Sequence, residues 1–259
     1  MADASGERLT VGEGSAAREI AVLRRPGGVP GLFWLGGFGS DMLGSKATAV
    51  DAFAAEKGLA ATRFDYSGHG ASGGDFADGT ISRWLEEARA VFDRATPGPQ
   101  IVIGSSMGGW IALLLAVALR GTGRVAGLVL LAPAYDMTRA LMWERWPKKT
   151  RDALMRDGVY RQPSSYSDQP YVITRGLIED GDRHLFGDGL IEVGCPVAIL
   201  QGVADKEVPW RHAAALVEKL ASDDVVLTLV KDGDHRLSRP EDLQRLRTAL
   251  AALVAEART

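Results

Sequence analysis

Cysteine is nearly absent from the sequence. The 259 residues include one cysteine, Cys195, so an internal disulfide and a cysteine-based zinc site are both excluded. Cys195 stands in the tetrapeptide Val-Gly-Cys-Pro just before an apolar run, and no catalytic signature surrounds it. We therefore expect Cys195 to be a structural residue, and the fold to be held together by the packing of its core.

An excess of charge and a long apolar run are missing as well. The chain has 30 Lys and Arg against 33 Asp and Glu, a net charge of −3, which argues against a nucleic-acid partner and against an acidic disordered chain. The longest apolar run, Trp110–Leu119, has 10 residues; it is too short to span a bilayer and indicates a buried helix. Residues 1–19 have no basic start, no apolar stretch and few Arg. We expect a cytoplasmic location without a stable membrane anchor.

What the sequence does have is glycine, with 31 residues, and a regular alternation of short apolar strands with amphipathic helices. Continuously apolar strands that alternate with helices predict an α/β fold with a mostly parallel sheet covered by helices on both faces. The alternation breaks at about residues 135–189, which we interpret as a mostly helical cap insertion without a clear strand. The whole chain, 1–259, is then one domain that carries a cap.

The sharpest motif is Gly104-Ser105-Ser106-Met107-Gly108-Gly109, between the apolar strand 100–103 and a helix. A G-x-S-x-G sequence in this strand–turn–helix context presents its central serine on a very tight turn, where the flanking residues must be small. Ser106 is therefore the predicted nucleophile.

A serine hydroxyl needs a base and an orienting acid, and in this type of site they follow the serine in the order acid, then histidine. Asp205 lies just beyond the apolar strand 197–200, and His235 lies in a polar turn after the strand 225–230. We predict that Asp205 orients His235 and that His235 is the general base. Asp136 is the rival acid, and Glu207 is also close by. The other histidines, His69, His184 and His212, are interpreted as structural or surface residues.

The glycine-rich segment Gly36–Asp41 follows another apolar strand. An oxyanion hole in such a site combines the N–H after the nucleophile with one from an early loop, so Met107 and Phe38 are the predicted donors. The loop Asp65–Gly74 is interpreted as a structural hairpin beside the site. Phosphate-binding glycine motifs and metal-ligand spacings are absent from the sequence, so neither a cofactor nor a metal is expected.

Four segments carry a closer resemblance: Arg63–Gly68, Gly104–Trp110, Pro163–Ser167 and Asp205–Trp210. With them, nearly the whole chain resembles the α/β-hydrolase superfamily, in the branch of the mitochondrial palmitoyl-protein thioesterase and mycophenolic acid acyl-glucuronide esterase. Where many relatives have Pro-Gly, this sequence has Gly36-Gly37. The resemblance implies a serine hydrolase that cleaves acyl esters or acyl thioesters through an acyl-serine intermediate.

The expected partners are small acyl esters or thioesters, with S-acylated protein as a further candidate substrate, and the chain is expected to be a monomer or a weak homo-oligomer. Gly37, Trp143, Trp146, Val208 and Trp210 are the candidate substrate-binding residues. Apolar cap residues at helical spacing also fit simple packing of the cap on the core, and the basic cluster Lys148–Arg156 fits a solvated surface.

Three other functions stay open at this point. A carbon–carbon bond hydrolase or a cofactor-free haloperoxidase would use the same three residues. A non-catalytic small-molecule receptor could keep the scaffold, since a fold does not settle function.

Overall fold

The computed structural model describes residues 5–163, 170–221 and 224–258. Its main element is an eight-stranded sheet in the order β1-β2-β4-β3-β5-β6-β9-β10. The strands of this sheet are β1 (Ser5–Val11), β2 (Arg18–Arg25), β3 (Gly28–Leu35), β4 (Leu59–Phe64), β5 (Gln100–Ser105), β6 (Val125–Leu131), β9 (Val197–Gly202) and β10 (Val225–Val230). The pairs β1/β2 and β2/β4 are antiparallel and the remaining pairs are parallel, so the predicted mostly parallel sheet is confirmed.

Helices cover both faces of this sheet, as predicted. They are α1 (Ser45–Lys57), α2 (Ile81–Ala95), α3 (Met107–Leu119), α4 (Lys148–Asp157), α5 (Arg175–Gly181), α6 (Trp210–Lys219) and α7 (Pro240–Glu256). Along β5, Val102 packs into the core beneath α2, α3 and α6, whereas Ile101 and Ile103 pack beneath α1 and α7. Because both faces are buried, the central strands are apolar at most positions.

The strand β1 lies outside the prediction, which treated residues 1–19 as a polar segment. In the structure β1 is an edge strand paired with β2. Its residues alternate between exposed Arg8 and Thr10 and more buried Leu9 and Val11. An edge strand with one solvated face contains too few apolar residues to stand out in the sequence.

The segment between β6 and β9 contains helices, as predicted, and a small sheet that was not predicted. A π-helix at Met137–Trp143 precedes α4, and α5 follows. Between α4 and α5, the short strands β7 (Val159–Gln162) and β8 (Tyr171–Thr174) pair antiparallel.

Within the described ranges, no helix has both the length and the apolar character needed to cross a membrane.

Candidate active site

Ser106 occupies a strained turn between β5 and α3. Its backbone has φ 54° and ψ −118°, a region that non-glycine residues rarely adopt. A Cβ atom on Gly104 would lie 2.3 Å from the carbonyl oxygen of Gly108, and one on Gly108 would lie 2.1 Å from the carbonyl oxygen of Leu35. Both positions therefore require glycine. The resulting close approach of strand and helix holds the Ser106 side chain at the carboxyl end of the sheet.

A chain of hydrogen bonds connects the three residues that the sequence singled out. The Ser106 Oγ lies 3.1 Å from His235 Nε2, and His235 Nδ1 lies 2.8 Å from Asp205 Oδ2. Because a carboxylate only accepts, Nδ1 carries the proton and Nε2 of the neutral ring accepts from the Ser106 hydroxyl. The structure brings these residues together from three separate loops, with the acceptor nitrogen facing the hydroxyl.

Asp205 is held by donors that the sequence did not reveal. Its Oδ1 accepts from the N–H groups of Glu207 at 2.8 Å and Val208 at 2.9 Å. Its Oδ2 also accepts from the side-chain amide of the fully buried Gln201, at 3.2 Å. These donors fix the carboxylate in the orientation that His235 needs. The amide of Gln201 could have been suspected only from its position on the strand that precedes the acid.

The loop of His235 and the strand of the acid meet at a further glycine. A Cβ atom on Gly202, the last residue of β9, would lie 2.3 Å from the carbonyl oxygen of Gly233.

The two other candidate acids differ in their distance from His235. Glu207 is within reach of it, since Glu207 Oε2 lies 3.5 Å from His235 Nε2. Asp136, the rival acid, accepts instead from the N–H of Phe186 at 3.1 Å, and burial raises the pKa of its carboxyl.

The loop of Gly37 and Phe38 lies beside Ser106. A Cβ atom on Gly37 would lie 3.4 Å from the Cβ of Ser106. Among the described residues, the backbone N–H groups of Phe38 and Met107 have no hydrogen-bond partner. The ring of Phe38 packs against Phe76 and Tyr171, with centroid distances of 4.8 and 5.5 Å.

The loop Asp65–Gly74, interpreted as a structural hairpin, is hydrogen-bonded to the glycine-rich loop that contains Gly37 and Phe38. The carboxylate of Asp65 accepts from the N–H of Met42 at 2.7 Å, and His69 Nε2 accepts from the N–H of Gly39 at 3.1 Å. Burial raises the pKa of Asp65 and lowers the pKa of His69. The sequence pattern showed both residues in the loop but not the partners that they reach.

A cavity of about 800 Å³ opens onto Ser106 and His235. Its apolar wall is formed by Met137, Leu141, Met142, Trp146, Tyr160, Ile173 and Val208. Three of the candidate substrate-binding residues, Gly37, Trp146 and Val208, line this cavity. Trp143 and Trp210, the other two tryptophan candidates, are not among the residues that line this cavity. The ring of Trp143 faces the guanidinium groups of Arg139 and Arg151, and Trp210 stacks with Arg211.

Cationic side chains, Lys46 and Arg145, line the same cavity. Lys46 Nζ donates to the carbonyl of Arg236 at 2.6 Å, and the guanidinium of Arg145 donates to the carbonyls of Glu207 and Lys206. Burial lowers the pKa of Lys46 to about 8. Over the described residues, no group of three or more His, Cys, Asp or Glu side chains is arranged to hold a metal ion.

The basic cluster and Cys195 do not line this cavity. Lys148 and Arg156 form exposed ion pairs with neighbouring aspartates. Cys195 is buried, and burial raises the pKa of its thiol to about 12. Of the segment 163–167 that carried part of the resemblance, Pro163 lines the cavity and residues 164–167 lie outside the described residues.

A serine on a tight strand–turn–helix, at the carboxyl edge of a mostly parallel sheet, is the hallmark of the α/β-hydrolase class. The family model of serine aminopeptidase, S33, matches residues 35–180. Palmitoyl-protein thioesterase ABHD10, mitochondrial, from Mus musculus is 35% identical over 228 residues, which cover 88% of this chain and 76% of that protein. The chain therefore belongs to the S33 family of α/β-hydrolases, in the ABHD10 branch.

Solved structures agree with this assignment. A candidate hydrolase from Agrobacterium vitis S4 superposes with a TM-score of 0.94 at 51% identity, covering 98% of this chain and 100% of that one. The mouse α/β hydrolase domain-containing protein 10 gives a TM-score of 0.87 at 32% identity, covering 97% of this chain and 99% of that one. The predicted α/β-hydrolase fold is thus confirmed.

The relatives contradict the predicted cytoplasmic location. Those from Mus musculus, Bos taurus, Pongo abelii, Homo sapiens and Rattus norvegicus are all named as mitochondrial proteins. The prediction was wrong because it rested on the composition of residues 1–19, which describes a stretch of chain and not the compartment in which this branch works.

Proposed function

We propose that this protein is a serine hydrolase that cleaves acyl esters or acyl thioesters through an acyl-enzyme on Ser106. The observation that carries the proposal is the unbroken hydrogen-bond chain from Ser106 Oγ through His235 to Asp205. The thioesterase name of the ABHD10 relatives supports hydrolysis of an acyl group as the reaction. In this proposal residues 1–259 form one hydrolase domain, and residues 135–189 are its cap.

In the first half of the reaction, His235 Nε2 takes the proton of Ser106 as Oγ attacks the acyl carbonyl carbon. The Asp205 carboxylate holds the proton on Nδ1 and stabilises the imidazolium that forms. His235 then gives the Nε2 proton to the departing oxygen or sulfur as the bond between it and the acyl carbon breaks. The acyl group stays on Ser106.

The unpartnered N–H groups of Phe38 and Met107 would stabilise the negative charge that develops on the carbonyl oxygen. In the second half of the reaction, a water gives its proton to His235 Nε2 and attacks the acyl carbon. The proton returns to Ser106 Oγ as the acid product leaves. The same two N–H groups would serve both tetrahedral intermediates.

The cavity suggests where the two parts of the substrate would lie. Its apolar wall, from Met137 to Val208, offers an apolar surface for an acyl chain, and we propose that Trp146 forms part of it. The cap contributes much of this wall. S-acylated proteins and small acyl esters are both candidate substrates, and we place their thiol or alcohol portion near Lys46 and Arg145, which also line the cavity.

The nucleophile can be tested by covalent labelling. A fluorophosphonate probe should label the wild-type protein, and Ser106→Ala should remove the label. Ser105→Ala is the matched control, because its hydroxyl is one residue out of register and the variant should still be labelled. Labelling of Ser106→Ala at the wild-type rate would contradict the assignment.

The substrate class needs a hydrolysis panel of p-nitrophenyl esters of increasing chain length, an S-acyl peptide and an acyl glucuronide. We expect ester and thioester hydrolysis by the wild-type protein and the loss of both in Ser106→Ala. A wild-type protein that hydrolyses none of these compounds would overturn the proposed function.

A further inference from the structure

His69 is buried beside the active site and lies outside the Ser106–His235–Asp205 chain. Its ring is 4% exposed and is surrounded by the rings of Tyr66, Phe76 and Trp84, at centroid distances of 5.7, 5.0 and 5.3 Å. A phenylalanine would fill such an aromatic pocket equally well. The imidazole must therefore be explained by its nitrogen atoms.

Both ring nitrogens have one defined partner. The carbonyl oxygen of Ser67 can only accept, so His69 Nδ1 carries a proton and donates it across 3.0 Å. The N–H of Gly39 can only donate, so His69 Nε2 is the unprotonated acceptor, at 3.1 Å. The two contacts together select one neutral tautomer, and the burial of the ring also disfavours the charged form.

Gly39, whose N–H donates to His69 Nε2, belongs to the same turn as Phe38. The turn closes on itself through the N–H of Ser40, which donates to the carbonyl of Gly37 at 3.1 Å. Gly39 has φ +69°, and a Cβ atom on it would lie 2.7 Å from the ring of Tyr171. The turn is thus confined by Tyr171 on one side and hydrogen-bonded to His69 outside the turn.

We propose that His69 is a positioning residue that holds the turn Gly37–Ser40 so that the Phe38 N–H faces the acyl oxygen in the transition state. This inference rests on the proposed function, because it concerns the second donor of the oxyanion hole. His69 touches neither substrate nor Ser106 in this role; it acts through the Gly39 N–H. The adjacent Asp65 bond to Met42 holds the next part of the same loop.

The test compares His69→Phe, which keeps the ring volume, with His69→Gln, whose side-chain oxygen can accept from Gly39 and whose amide can donate to Ser67. Removing a whole oxyanion donor costs roughly 100- to 1,000-fold in kcat, so we expect His69→Phe to lose roughly 10- to 100-fold with KM nearly unchanged. His69→Gln should recover most of that loss. His69→Leu replaces the Phe variant if the latter does not fold.

A second measurement distinguishes a misplaced Phe38 N–H from a general loosening of the packing around His69. Each variant is assayed on a p-nitrophenyl ester and on the matching thionoester, whose sulfur accepts hydrogen bonds only weakly. We expect the wild-type preference for the ester to shrink in His69→Phe and to persist in His69→Gln. Tyr66→Leu is the control, since the Tyr66 ring packs on His69 and its hydroxyl has no hydrogen-bond partner among the described residues. It loosens the same aromatic pocket without removing a side-chain hydrogen bond, and it should keep the preference.

Three results would overturn the inference: wild-type kcat in His69→Phe, an unchanged ester preference in that variant, or an equal loss of preference in Tyr66→Leu. These outcomes differ from failure of the proposed function itself. In that case the wild-type protein would hydrolyse neither the ester nor the thioesters of the panel.

Discussion

At the scale of single residues, Gly108 shows how the backbone geometry fixes a side chain. The Cβ position of Gly108 falls 2.1 Å from the carbonyl oxygen of Leu35 and 2.5 Å from that of Gly36. Both neighbours are backbone atoms at the end of β3, so neither can move without moving the strand or the loop that follows it. The glycine is therefore required by packing between α3 and β3.

We predict that Gly108→Ala destabilises the protein by about 1–3 kcal/mol, the usual cost of forcing extra atoms into a packed core. It should also lower esterase activity, because the Gly36 carbonyl leads into the loop of Phe38. The measurement is urea unfolding together with the fluorophosphonate labelling rate. Gly189→Ala is the control, since nothing lies within 4 Å of its Cβ position, and a stable, active Gly108→Ala would contradict the packing argument.

Single residues also mark where sequence reasoning reached its limit. Ser106, Asp205 and His235 were predicted because each follows an apolar strand, and the carboxyl ends of parallel strands meet at one edge of a sheet. Gln201 and His69 were not assigned their partners. Their contacts join loops and strands through side-chain geometry, and no local pattern encodes which backbone N–H or carboxylate a buried amide or imidazole will reach.

At the scale of elements, β2 and α2 are joined by a buried ion pair. Arg18 Nε lies 2.5 Å from Glu87 Oε1, and the Glu87 side chain is fully buried. The other oxygen of Glu87 accepts from the N–H of Ser67 at 2.8 Å. One carboxylate therefore connects a strand near the edge of the sheet, a helix and the start of the loop that contains His69.

We expect Arg18→Met to cost about 3–5 kcal/mol, because it leaves the Glu87 charge buried without its main partner. Arg89→Met, which breaks the exposed Arg89–Asp93 pair, should change stability by no more than about 1 kcal/mol. Thermal and urea unfolding of both variants measure the difference. Equal effects of the two substitutions would refute the importance of the buried pair.

The elements also differ in how well the sequence reveals them. The strands β5, β6 and β9 are apolar on both faces and were predicted. The four-residue strands β7 and β8 were missed because both are very short, and in β7 half-buried residues such as Tyr160 alternate with exposed ones. They pair with each other beside the cavity, and the tertiary setting rather than propensity defines them.

At the scale of the whole molecule, buried histidines link folding to pH. Burial lowers the pKa of both His69 and His212, and His212 Nε2 donates to the carbonyl of Tyr135 at 2.9 Å. Both rings are neutral in the folded state at pH 7. In the unfolded chain each would bind a proton near pH 6.5, so the unfolded state takes up more protons on mild acidification.

The free energy of unfolding should therefore be fully maintained above about pH 6.5 and should fall as the pH drops below that value toward the lower pKa values of the folded state. We predict a weaker fall in the double variant His69→Gln/His212→Gln. Urea unfolding at pH 7.5 and pH 5.5 for both proteins is the measurement. The same decrease in the two proteins would show that other groups carry the acid sensitivity.

The hydrogen-bond chain from Ser106 through His235 to Asp205 has a consequence for the order of folding. Ser106 and His235 are 129 residues apart in the sequence, and Asp205 and His235 are 30 apart. Contacts of such large separation close large loops and contribute to slow folding. The three residues can meet only after β9 has paired with β6 and β10 has paired with β9. Recovery of labelling at Ser106 during refolding would thus report completion of the sheet, while a helical signal would report the earlier formation of local structure.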